Sequence, residues 1–143
     1  MEITSELTID ASVERVWDLT LDLESWPEMT PTMTRVERLD TGPVVVGSRA
    51  RVTQPKQRPT VWTVTRCEPR SCFEWTTKVA TVTMTASHHL EPMPDGRCRN
   101  TLGITFSGFG SGVARRLLGR AVRDAIQTEN EGFRAAAEAH ASA

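Results

Sequence analysis

The sequence predicts an α+β domain in which a curved, seven-stranded antiparallel sheet wraps around one long C-terminal helix, with two short helices between the first and second strands. Three observations lead to this fold class. Apolar and polar residues alternate with period two from Ile3 to Ile9 and in six further segments between Met33 and Ser107, as half-buried strands require. The period turns helical from Ser111 onward, and a shorter helical stretch interrupts the strands after Ile9. A curved sheet of this length cannot lie flat on a single helix, so it must wrap it and leave between them either packed side chains or a cavity.

The first strand places Ile3, Ser5, Leu7 and Ile9 on one face. Ser12 then suits a helix N-cap, and Val13, Val16, Trp17, Thr20 and Leu21 recur at helical spacing, leading into a second short helical segment over Asp22 to Trp26. Pro27 is expected to stop it. Six strands follow at Met33 to Asp40, Ser48 to Gln54, Val61 to Glu68, Cys72 to Lys78, Thr81 to Leu90 and Arg97 to Ser107, separated by turn residues such as Gly42-Pro43 and Asp95-Gly96. Parity gives the inward set: Trp62 and Val64; Phe73 and Trp75; Val82, Met84, Ala86, His88 and Leu90; then Cys98, Asn100, Leu102, Ile104 and Phe106. In the last helix Leu118, Val122, Ala125, Ile126, Phe133 and Ala136 form an apolar stripe, opposite a polar face of Arg116, Arg120, Arg123, Gln127, Asn130, Arg134 and Glu138.

Composition narrows the function classes. With 143 residues the chain is expected to be one domain spanning 1–143, large enough to hold a core without disulfides or metals. Seventeen basic and 18 acidic residues give a net charge of -1 with the signs interspersed, so no nucleic-acid partner is expected; the one dense basic run carries Arg115, Arg116, Arg120 and Arg123. The first residues lack the basic and apolar regions of a leader, and no apolar run approaches the roughly 20 residues that span a bilayer, so a soluble, cytoplasmic protein without stable membrane insertion is expected. Cys67, Cys72 and Cys98 lack metal-site spacing and are read as free thiols, against the alternative of a Cys67 to Cys72 bridge across a hairpin.

Few residues offer chemistry. His88 shares the inward parity of Met84, Ala86 and Leu90, where an imidazole serves either as a general base or as a hydrogen-bonded wall residue; His89 points the other way, so the two cannot chelate one metal. Glu129 lies on the apolar stripe between Ile126 and Phe133, and is expected to pair with Arg35, Arg49 or Arg51 of the sheet or to face His88 across a pocket. Asn100 is a polar group on an apolar face and must hydrogen-bond protein, water or ligand. Trp62, Phe73, Trp75 and Met84 offer flat, polarizable surface. Tyrosine is absent, which removes any tyrosine acid or oxyanion donor. The Gly108 to Gly112 run lacks the ending of a phosphate loop and reads as a flexible connection.

Several segments together resemble the START-like superfamily of polyketide cyclase/dehydrase and lipid-transport proteins, with its helix-grip fold: Ala11-Ser12-Val13-Glu14-Arg15-Val16-Trp17-Asp18, Asp22-Leu23-Glu24-Ser25-Trp26-Pro27, Val46-Gly47-Ser48, Glu68-Pro69, Phe73-Glu74-Trp75, His88-His89-Leu90-Glu91-Pro92 and Glu129-Asn130-Glu131-Gly132-Phe133. The resemblance spans nearly the whole chain and rests on structural motifs, so it specifies a fold more than an activity. It implies an apolar or aromatic ligand, lipid- or polyketide-like, held between sheet and last helix, with a wall drawn from Trp62, Val64, Phe73, Trp75, Met84, His88, Asn100, Leu102, Ile104, Leu118, Val122, Ile126 and Glu129. No cofactor or metal is expected. Two alternatives stand beside a carrier: a polyketide cyclase or dehydratase with His88 as general base and Glu129 or Asn100 as orienting group, and a protein-interaction module similar to quinone chaperones or ribosome-associated inhibitors, whose interior would be filled.

Overall fold

The computed structural model describes residues 2–141; the ends of the expected 1–143 domain, Met1, Ser142 and Ala143, lie outside the described residues. Among the described residues the order is β1 (Ile3–Ile9), α1 (Val13–Leu21), a 3-10 turn (Leu23–Ser25), α2 (Trp26–Met29), β2 (Arg35–Arg38), β3 (Arg49–Thr53), β4 (Thr60–Glu68), β5 (Cys72–Val79), β6 (Val82–Pro92), β7 (Cys98–Gly108) and α3 (Ser111–Ala141). The strands form one antiparallel sheet in the order β1-β7-β6-β5-β4-β3-β2, which is the expected helix-grip α+β architecture. β2 is shorter than its alternating pattern suggests, and the other strands lie within two residues of their expected limits.

Local chemistry explains the first helices. The Ser12 hydroxyl caps α1 by accepting the Arg15 amide at 3.2 Å. Pro27 does not end a helix, as expected, but sits in the first turn of α2, where its missing N–H would have no intrahelical partner anyway. Trp26 becomes the centre of the core: its indole donates to the Leu19 carbonyl at 3.2 Å, and its ring meets Phe73, Trp75 and Phe133 edge-on.

The sheet curves where β4 carries an extra residue, Thr65, between the pairs Val64–Trp75 and Arg66–Glu74. Beyond that bulge the parity reverses, so Cys67 turns toward Val44. Cys67 lies opposite Phe73 and Cys72 opposite Glu68, and the three thiols are free.

Helix α3 is buried unevenly. Ile126, Glu129, Asn130, Phe133 and Ala137 are buried, whereas Leu117 and Leu118 are exposed. Asn130, expected on the polar face, is fully buried: its Nδ2 donates to the carbonyls of Ser5 (3.0 Å) and Asn100 (3.1 Å), and its Oδ1 accepts from Asn100 Nδ2 at 3.0 Å. Ala137 rather than Ala136 packs into the core. At Gly132 the helix passes so close to α2 that a β-carbon would overlap the Met29 carbonyl.

Two apolar clusters result. The larger gathers Trp26, Val52, Trp62, Val64, Phe73, Trp75 and Phe133; the smaller gathers Ile3, Leu102, Ile104, Phe106 and Ile126. Met84 and Ala86 of β6 touch both.

Candidate functional site

Between these clusters lies a cavity of about 240 Å³, enclosed by the sheet and the middle of α3. A well-packed core leaves few voids larger than a water molecule, so this space reflects an arrangement of elements, not loose packing. Its wall includes ten of the residues expected there: Trp62, Trp75, Met84, His88, Leu102, Ile104, Leu118, Val122, Ile126 and Glu129. The rings of Trp62 and Trp75 lie 5.5 Å apart at a shallow angle and make one flat side.

Val64, Phe73 and Asn100 do not line it. Val64 and Phe73 are buried in the larger cluster, Phe73 edge-on to Trp26. Asn100 keeps its inward parity but meets Asn130 where α3 crosses β7 and β1, so its amide holds the helix in place. Met33, Val52, Gln54, Gln57, Thr60, Thr77 and Val79 join the wall without having been expected. Strand parity would have found five of them: Val52 and Gln54 share a face with Ala50, Thr60 with Trp62, and Thr77 and Val79 with Trp75. Met33 and Gln57 sit in connections, which carry no periodic signal.

His88 and Glu129 bring titratable chemistry to the wall, and burial moves them in opposite senses. The His88 ring is packed against Trp26, Phe73 and Phe133, its Nδ1 has no hydrogen-bond partner, and desolvation pushes its pKa down to about 3. It is therefore neutral near pH 7 and a weak base, since an effective general base titrates close to the working pH. Glu129 takes up the opposite condition: desolvation raises its pKa to about 7, with the Thr32 side chain favouring the charged form through a hydrogen bond. The expected arginine partners are elsewhere. Arg35 and Arg51 pair with Glu37 at 3.4 and 2.9 Å, and Arg49 pairs with Asp40 at 3.9 Å, on exposed parts of the sheet. Desolvation is the leading cause of both shifts. What the site can do chemically is enclose an apolar body, stack it on indole, and place one carboxyl poised between donor and acceptor against it. No cluster of metal-ligating side chains occurs among the described residues.

Comparison with known proteins agrees with this architecture. No curated protein matches the chain. Among solved structures, protein TTHA0849 of Thermus thermophilus superposes with a TM-score of 0.76 at 16% identity, covering 98% of this chain and 99% of that one. Hypothetical protein jhp0584 of Helicobacter pylori gives a TM-score of 0.82 at 11% identity over 96% of this chain and 88% of its own. The di-domain ARO/CYC protein StfQ, from the steffimycin biosynthetic pathway, gives 0.76 at 17% identity; the match covers 99% of this chain and 52% of StfQ, about one of its two domains. At these identities the likeness is one of fold. The family model described as polyketide cyclase / dehydrase and lipid transport matches residues 1–138, and the chain, with its gripped helix, wrapped sheet and the cavity between them, belongs to that family.

Proposed function

We propose that the protein binds an apolar or aromatic small molecule, of lipid- or polyketide-like character, in the cavity between sheet and α3. One observation carries this reading: about 240 Å³ of space is kept open between two packed clusters and walled mainly by apolar side chains. That volume accommodates an organic body of roughly a dozen heavy atoms. An interaction module with a filled interior fits the open cavity less well.

A second reading, acid–base catalysis on such a ligand in the manner of a cyclase or dehydratase, is supported by Glu129, whose pKa of about 7 suits proton transfer at neutral pH. Glu129 then carries the proton, and His88, at about 3, acts as a wall residue.

The test combines native mass spectrometry of freshly purified protein with a titration of 1-naphthol followed by tryptophan emission. A co-purified apolar ligand, or saturable one-to-one quenching through Trp62 and Trp75, is expected, and Ala125→Trp should fill the cavity and reduce the quenching affinity at least about tenfold. An empty mass spectrum together with emission that never responds would refute the binding reading.

A further inference from the structure

Cations that the sequence scatters gather at one end of the sheet. In an antiparallel meander alternate connections share an end, so the β3–β4 connection, the β5–β6 turn and the passage from β7 into α3 lie together. The segments that form this end, residues 53–61, 77–83 and 105–123, contain no aspartate or glutamate. Lys56, Arg58, Lys78, Arg116, Arg120 and Arg123 are exposed there. Two exposed acids flank this end: Glu2, just before β1, which accepts a hydrogen bond from the Ser87 hydroxyl at 3.2 Å, and Asp124, next to Arg123 on α3. The opposite connections carry both signs: Asp40, Glu68 and Asp95 pair there with Arg49, Arg66 and Arg97, and Asp10 and Arg70 are exposed beside them.

The same end exposes large apolar side chains. Phe109 is 86% exposed, Leu117 76%, Val113 64% and Val79 53%. Phe109 stands at the tip of a turn between Gly108 and Gly110, both at positive φ. Val113 and Leu117 lie one turn apart on the outward face of α3, and Arg116, Arg120 and Arg123 follow at spacings of four and three along its flank. The cavity reaches this end as well, because Val79 and Leu118 belong both to its wall and to the exposed surface.

We infer that this end docks on an anionic lipid surface, with the cavity mouth turned toward it. Exposed apolar side chains flanked by arginine are the arrangement of an interfacial helix, in which apolar groups enter the boundary of the acyl chains and cations meet the headgroups. A nucleic acid would satisfy the arginines but leave Phe109, Val113 and Leu117 without apolar cover. A folded protein would need separate hollows for Val79, for Phe109 and for the α3 ridge, whereas a bilayer deforms around all three. The docking test does not depend on the cavity reading, since the residues it changes, Phe109, Leu117, Arg116 and Arg120, are not part of the cavity wall.

Co-sedimentation with vesicles of phosphatidylcholine, alone or mixed with phosphatidylglycerol, tests this directly. The protein should pellet with the anionic vesicles, several-fold more than with neutral ones, and less as salt rises. Phe109→Ser with Leu117→Ser should weaken that binding at least about tenfold, and Arg116→Glu with Arg120→Glu should abolish it, while circular dichroism and naphthol quenching stay as in the parent. No pelleting with anionic vesicles would overturn the inference. So would binding that the arginine variant loses and the serine variant keeps, which marks a polyanion site, or a parent dimer in light scattering that the serine variant makes monomeric, which assigns the patch to a second copy. Because quenching is read on the same samples, failure of docking and failure of cavity binding are distinguishable.

Discussion

Glu129 sits between an apolar helix face and an apolar cavity, with the Thr32 side chain as its polar support, and its cost to the fold depends on pH. Below about pH 4.5 the carboxyl is protonated in folded and unfolded chains alike. Between there and about pH 7 the unfolded chain releases the proton while the folded one retains it, so stability falls as pH rises. The full shift corresponds to about 3 kcal/mol. Glu129→Gln should therefore be more stable than the parent by roughly that amount at pH 8 in urea unfolding, with the difference vanishing near pH 4. A difference independent of pH would contradict the buried-carboxyl account. His88 works in the other direction: with its pKa lowered to about 3, it destabilises the fold as pH drops from 6.5, because the unfolded chain takes up a proton that the folded chain refuses. In the parent the two trends oppose each other in mildly acidic solution, and the Gln variant exposes the histidine contribution alone.

Among the elements, α3 decides whether there is a site. Its phase is set by the Asn100–Asn130 pair and its approach to α2 by Gly132. Gly132→Ala ought to gain up to about 1 kcal/mol from helix propensity, but the added carbon meets a backbone carbonyl that cannot move aside cheaply, so a net loss of about 1–3 kcal/mol is expected. Gly119→Ala in the same helix is the matched control: its new carbon would make ordinary contact with Ile3 Cδ1 at 3.7 Å, and it should be neutral or stabilising in the same thermal melts. Strand parity made the inward faces of β4 to β7 legible, and with them most of the cavity wall. Asn130 was hidden because an amide at a polar-face position looks like a surface residue until the helix is known to cross β1 and β7 at that turn. Pro27 misled for a related reason: proline ends helix interiors and begins helices, and only the backbone distinguishes the two. Phe73 has the right parity, yet the ring of Trp26, from outside the sheet, packs against it within the core.

For the whole molecule, burial is graded along α3. The stretch from Val113 to Val122 exposes Leu117 and Leu118 and begins the cover of the cavity, which continues to Glu129, while the half around Phe133 and Ala137 is sealed in the core. Local opening is cheapest where few apolar contacts are lost. In hydrogen–deuterium exchange the amides of the first half should exchange at least about tenfold faster than those near Phe133, and a bound cavity probe should slow them selectively. Uniform protection along the helix would contradict this gradient. The gathering of cations has its own consequence. A chain whose net charge is only -1 feels almost no force in a uniform field, but exposed cations collected at one end, while the other end balances its arginines with carboxylates, give the molecule one positive pole. Near a charged boundary, within the Debye length of about 8–10 Å, such a molecule is turned before it is attracted. Its first collisions with a negative surface are thus biased toward one pole, so orientation precedes affinity.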